Sequence, residues 1–164
     1  MRVSIRQKVF SFGDKFSVNA EDGTPIIFVE GKVFTVGNKL HVYDAGGAEI
    51  FYIEQKLFKL LPEYRIFSGG AEVAFLKREF SILKPKINIT STYGNFTIEG
   101  NFLGYNFNIF KNGNVVGTVS KKFVAFSDTY TLDISDDENV PFMITLTIVI
   151  DQILHDGDNK SSSY

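Results

Sequence analysis

The chain has 164 residues, 44% hydrophobic and 22% charged, with a formal net charge of −2. That length suits one domain able to bury a core without staples, and the lack of cysteine excludes disulfides and thiolate metal sites. The slightly acidic balance argues against a nucleic-acid partner, while leaving room for a local basic patch.

The opening Met1-Arg2-Val3-Ser4-Ile5-Arg6-Gln7-Lys8 interleaves charge with apolar residues. It has no uninterrupted apolar stretch of signal-peptide type, so the expected compartment is the cytoplasm. A repeat starts here. Residues 7–18 are matched by 31–42 and again by 55–66, so that Lys8, Lys32 and Lys56 stand 24 apart, as do Phe10, Phe34 and Phe58. Between the copies lie Glu21-Asp22-Gly23-Thr24 and Ala45-Gly46-Gly47-Ala48, and Gly69-Gly70 follows the third. Each unit therefore reads as two strands and two turns, with Asp22-Gly23 and the later Asn112-Gly113 supplying the positive φ of tight hairpins.

Alternation carries the strands. Phe16 and Val18 flank Ser17, Leu40 and Val42 flank His41, and Phe51 and Ile53 flank Tyr52. The same holds for Ile87 and Ile89 about Asn88, and for Phe96 and Ile98 about Thr97. Seventeen Phe and seven Tyr agree with a β-rich interior. Continued to Ile134, the pattern gives about a dozen short antiparallel strands. So many hairpins leave hazardous edges unless the sheet closes, which favours a barrel over a sandwich.

From Pro141 to Leu154 the chain is apolar on nearly every side and must be buried, in protein or in lipid. A helix over about residues 140–155 is expected. Pro141 suits its first turn, Asn139 or Asp137 its cap, the acidic run 136–138 its positive end, and His155 with Gly157 its close. The β-branched Ile144, Thr145, Thr147, Ile148, Val149, Ile150 and Ile153 keep a long central strand as the rival. Fourteen helical residues rise only about 21 Å against a hydrocarbon core of about 30 Å, so enclosure in protein is expected over a membrane span. A barrel of about twelve strands is wide enough to enclose one helix. The expected organisation is a mainly β domain over residues 1–156, a closed antiparallel barrel around a central C-terminal helix. A flexible polar tail would follow over 157–164.

Candidate chemistry is sparse. His41 falls in an alternating strand and His155 at a helix end, neither with a nucleophile motif nearby. The group Asp133, Asp136, Asp137 and Glu138 lacks the spacing of a calcium loop and reads as an acidic helix entry. No catalytic residue, metal site or cofactor is expected. Asp151, a charge inside the apolar helix, would need a partner such as Arg or Lys, or several backbone donors. It reads as a pin between helix and strand, with a proton-handling carboxylate as the functional alternative. One basic run stands out: Lys77, Arg78, Lys84 and Lys86 around Pro85, with Lys121 and Lys122 joining if their strands are neighbours. Such a cluster would attract phosphate headgroups, although solvated strand edges also carry lysines.

The segment Ile5-Arg6-Gln7-Lys8-Val9-Phe10-Ser11-Phe12-Gly13-Asp14-Lys15-Phe16 resembles the LURP-one-related family, in particular its bacterial YxjI-type members. So do Lys32-Val33-Phe34 with Asp44, and Ile150-Asp151-Gln152-Ile153-Leu154-His155-Asp156. The resemblance covers essentially the whole chain. It implies a tubby-like fold, a twelve-stranded barrel threaded by a helix, and no enzyme activity. Tubby domains bind phosphoinositide headgroups and scramblases act on phospholipids, so the implied partners are an anionic phospholipid or membrane surface, or a protein served as a scaffold. The alternative it raises is a scramblase-like protein that inserts the 141–154 segment into lipid. Tubby's headgroup residues have no positional match in this chain.

Overall fold

A computed structural model describes residues 1–8, 13, 15–32, 35–80, 85–124 and 127–161, with the backbone alone at 123, 124, 127, 128 and 156–161. The strands are β1 (Arg2–Lys8), β2 (Lys15–Ala20), β3 (Pro25–Gly31), β4 (Lys39–Asp44), β5 (Glu49–Gln55) and β6 (Glu63–Ser68). They continue as β7 (Ala71–Glu79), β8 (Lys86–Ser91), β9 (Gly94–Asn101), β10 (Asn106–Lys111), β11 (Asn114–Val124) and β12 (Ser127–Ile134). One helix, α1 (Val140–Ser161), ends the described chain. Every strand pairs with its neighbour in sequence, and the ring closes antiparallel through β1 and β12, from Arg2↔Asp133 to Lys8↔Ser127. This is the closed barrel that the alternation leads to, with the strand number and threaded helix that the family resemblance implies.

Period-two alternation sends one side chain in two to the interior. All ten apolar residues that flank the alternating positions of β2, β4, β5, β8 and β9 are at most 5% exposed. The helix fills the bore. Phe142, Met143, Ile144, Leu146, Ile148, Val149, Ile150, Ile153 and Leu154 are all buried, which no helix on an open sheet could achieve on every side. Its β-branched residues are poor helix formers, but packing rather than propensity sustains helices in proteins. The hydroxyls of Thr145 and Thr147 donate to the carbonyls of Pro141 and Met143 at 2.8 and 3.0 Å, so their burial leaves no unmet donor. Asn139 is the cap, its Oδ1 accepting from the Phe142 amide at 2.9 Å. At Gly117 a Cβ would lie 2.9 Å from Met143 Cε, so the bare backbone of β11 is what lets the helix come this close.

The helix ends later than its sequence suggests. It passes Gly157 and reaches Ser161, and the remainder of the tail expected over 157–164 lies outside the described residues. Glycine costs about 1 kcal/mol in a helix, but a helix already nucleated in a core gains a hydrogen bond for each residue it adds. The 141–154 segment is neither a strand nor a lipid-facing rod. Among the described residues no helix is long and apolar enough to cross a membrane.

Antiparallel pairing gives the barrel two unlike poles. The connections 21–24, 45–48, 69–70, 92–93 and 112–113 are tight and share one pole with the helix entry. Asn112 and Gly113 there have φ of 52° and 79°, the pairing a type I′ turn needs. Strands β1, β3, β5, β7, β9 and β11 end at the opposite pole, where the helix emerges, and the described connecting residues there are 13, 32, 35–38, 56–62, 80, 85 and 102–105. These are called the turn end and the loop end below.

Candidate functional site

Charge follows the two poles. The turn end holds Glu21 and Asp22 between β2 and β3, Asp44 and Glu49 about the β4–β5 turn, Glu72 after the next, and Asp133, Asp136, Asp137 and Glu138 at the helix entry. Its cations are already paired: Arg2 Nε lies 2.7 Å from Asp133, and Lys111 Nζ 3.1 Å from Glu138. The Arg2 fork bonded to Asp133 holds that carboxyl below the usual carboxylate range. The loop end holds Lys8 and Lys15, Lys32 and Lys39, Lys56 and Lys59, Lys77, Arg78 and Lys86, and Lys121 with Lys122. Against them, among the described side chains, stand Glu30, Glu54, Glu63, Glu79 and Glu99 with the enclosed Asp151. A net charge near zero thus conceals a strongly polarised molecule.

The described basic residues among those singled out in the sequence belong to the loop end, but they do not form one patch. Lys77 and Lys86 point outward from β7 and β8. Arg78 is in phase with the inward-facing Ala74 and Leu76 and is half-buried. Lys77 Nζ is 3.9 Å from Glu63, which also lies 3.8 Å from Lys56, so a nearly buried carboxylate is flanked by two ammonium groups. Lys86 stands opposite Glu79, whose carboxylate accepts from the amide of Asn88. Lys84 lies outside the described residues. Lys121 and Lys122 are not neighbours of this group: β9 and β10 intervene between β8 and β11. Three strand spacings amount to about 14 Å. Lys122 faces solvent, whereas Lys121 leans inward with Nζ 4.4 Å above the ring of Tyr105 and 5.6 Å from that of Tyr130.

Beneath Lys121 the helix is pinned to the wall. Tyr130 donates to Asp151 Oδ1 at 2.5 Å, and His155 Nδ1 approaches the same oxygen at 3.4 Å and the Asp151 carbonyl at 2.9 Å. The Tyr105 hydroxyl is 3.4 Å from His155 Nε2. Hydrogen bonding to Asp151 and its charge raise the His155 pKa to about 9, against burial and the repulsion of Lys121. At the next residue of the helix, Asn38 Nδ2 donates to Gln152 Oε1 at 3.1 Å and to the Tyr64 hydroxyl at 2.9 Å, tying the β3–β4 connection to the helix. Asp151 does bridge helix and strand, through a phenol rather than the Arg or Lys expected. Oδ2 of Asp151 has no hydrogen-bond partner among the described residues, and the crevice beside it, lined by Phe16, Phe107 and Val119, is too narrow for water. This is a latch.

His41 faces outward from β4, with Nδ1 2.9 Å from Glu49 Oε2 and its ring beside Tyr43 and Tyr52. Among the described residues no cluster of three or more His, Cys, Asp or Glu is arranged to hold a metal ion.

Sequence reading missed the apolar residues of the loop end. Val36 is 74% exposed, Phe58 100%, Leu60 89%, Phe80 77% and Leu103 91%. They occupy four successive loop-end connections. A signal existed: a repeat containing two strands returns to the same pole, so Lys56-Leu57-Phe58 must share the pole of Lys32.

The family model described as LURP-one-related matches residues 1–151. Over 157 residues the chain is 34% identical to the uncharacterized protein YxjI of Bacillus subtilis (strain 168), with 96% of each chain covered. It is also similar to an Arabidopsis thaliana protein solved by X-ray, with a TM-score of 0.69 over 93% of this chain and 91% of that one. Their identity is 13%, so this likeness bears on the fold alone.

Proposed function

The chain belongs to the LURP-one-related family, and from that premise we propose that it is a non-enzymatic binding module whose loop end takes up anionic phospholipid headgroups. The observation that supports this reading is the separation of charge between the poles. A polarised body near a negative surface turns its basic pole inward and its acidic pole away, before any specific contact forms. Each Lys or Arg close to such a surface contributes about 1 kcal/mol, and the attraction fades within a Debye length. Lys77, Lys86 and Lys122, outward-facing on different sectors of the ring, supply that attraction over a broad face rather than in a pocket. The protein would act at the cytoplasmic surface of a membrane and leave it again in salt. Enclosure of residues 142–154 removes the reason to favour a scramblase-like role, since those side chains have no face left for lipid.

Sedimentation with vesicles tests the reading. Phosphatidylcholine vesicles containing phosphatidylserine should carry the protein down, pure phosphatidylcholine much less, and raised salt should release it. Lys77→Glu, Lys86→Glu and Lys122→Glu combined should abolish the pelleting while leaving the circular dichroism spectrum unchanged. Equal association with neutral and anionic vesicles, or none with either, rejects it.

A further inference from the structure

We infer that the loop end is an insertion face, which sinks apolar loop tips below the headgroups of a lipid bilayer while the surrounding lysines stay at phosphate level. This rests on the headgroup-binding reading above and adds how the surface is engaged.

Single exposed apolar side chains are ordinary on proteins. Concentration at one pole is not. Among the described residues the five most exposed large apolar side chains, Val36, Phe58, Leu60, Phe80 and Leu103, all lie in loop-end connections, and the turn-end connections carry none of comparable exposure. Phe58 is the sharpest case. It is wholly exposed and holds a φ of 59°, a left-handed conformation that a bulky side chain rarely adopts. Strain of this kind gathers at functional positions.

The tips are also held firmly. The Gln55 amide donates to the Asn38 carbonyl at 2.9 Å, and the Asn38 amide to Gln55 Oε1 at 3.0 Å. Leu57 folds onto Gly37, where a Cβ would come within 2.6 Å of its Cδ2. Since Asn38 is bonded to Gln152 on the helix, the loops bearing Val36, Phe58 and Leu60 are braced on the core of the barrel.

Charge complementarity selects the occupant. The tips are spread over four successive connections whose flanks carry Lys32, Lys39, Lys56, Lys59 and Lys86, so apolar and cationic side chains alternate around the pole. A bilayer interface accepts isolated apolar tips, attracts the cations around them, and lets long lysine stems bridge the two depths. The acidic turn end would face away from it.

The chain contains no tryptophan, which makes the test direct. In the full-length protein, Phe58→Trp and Phe80→Trp each place one indole at the loop end, and Phe28→Trp places one on the outer wall as a control. With vesicles of phosphatidylcholine and phosphatidylserine, the two loop-end indoles should shift their emission to the blue and be quenched by brominated acyl chains, and the control should do neither. Phe58→Ser with Leu60→Ser should weaken vesicle affinity by at least about tenfold, from the apolar transfer lost, and should remove whatever binding survives high salt. Vesicle binding without blue shift or acyl quenching overturns insertion and leaves headgroup binding intact. No vesicle binding overturns both. A blue shift that needs no lipid and grows with protein concentration assigns the tips to self-association and also overturns insertion.

Discussion

Tyr130 on β12 and Asp151 on the helix are joined by a 2.5 Å hydrogen bond across the inner wall of the barrel. Both are buried, and Asp151 is the one acidic side chain within the apolar stretch of the helix. Tyr130→Phe keeps the ring and removes only the donor, stranding a carboxylate that has few other partners. The expected loss is about 1.5–3 kcal/mol of stability. Urea unfolding followed by circular dichroism should show a lower midpoint with an unchanged slope, and an unshifted midpoint would mean the pair is not a latch.

His155 makes stability depend on pH in the alkaline range. Its folded pKa is raised from 6.5 to about 9 by Asp151, so the imidazolium's contribution is complete below about 6.5 and is lost as pH rises through 9. The side chain is 43% exposed, so solvent screens the pair and the change is well short of the full linkage value. Asp151 and Lys121 are the charges that act on this group, with Tyr105 at its far nitrogen. Unfolding midpoints measured from pH 6 to pH 10 should fall more steeply for the parent than for His155→Gln. Parallel curves would contradict the assignment.

Phe142 sits at the turn end of the bore among Phe51, Tyr93 and Phe96, with ring centroids at 6.1, 4.2 and 6.0 Å. Phe142→Ala should cost about 3–5 kcal/mol, as buried aromatic truncations do. Phe80→Ala, at a 77% exposed position, should stay within about 0.5 kcal/mol. The contrast is read from two thermal melts, and similar losses for the two would be inconsistent with a helix-filled barrel.

Gly117 probes the closeness of helix and wall. Gly117→Val puts branched carbons where Met143 Cε and Ile109 already crowd a single Cβ, at 2.9 and 3.1 Å. Overpacking of this kind costs about 1–3 kcal/mol. Met143→Ala in the same chain should recover part of it, because it clears the space the valine needs, and strict additivity of the two losses would refute the contact.

The barrel was legible because its signals are local. Alternation in pairs such as Leu40 and Val42, and turn chemistry at Asn112-Gly113, each need only a few neighbouring residues to be read. The all-round apolar stretch then required something to surround it. What could not be read was partnership across the ring. Tyr130 is 21 residues from Asp151, and no spacing rule distinguishes a tyrosine that reaches a buried acid from one that packs as a core aromatic. Lys121 and Lys122 would join Lys77 and Lys86 only if their strands were neighbours, and the strand order sets β9 and β10 between them. Exposure of Phe58 was hidden for a related reason: an aromatic in a strand-rich sequence reads as core, and only the ring's geometry places it outside.

Ring closure through β1 and β12 joins residues as distant as Arg2 and Asp133, and the filling of the ring is encoded after every piece of its wall. During synthesis the hairpins must therefore emerge as an open, unfilled sheet with two bare edges, and contacts of such long sequence separation form slowly. Because residues 140–154 are made after the whole wall, they are the segment that commits the barrel to a folded state, so a chain cut short before Val140 would lack its centre altogether and present its inward-facing rows of Val, Ile and Phe to aggregation.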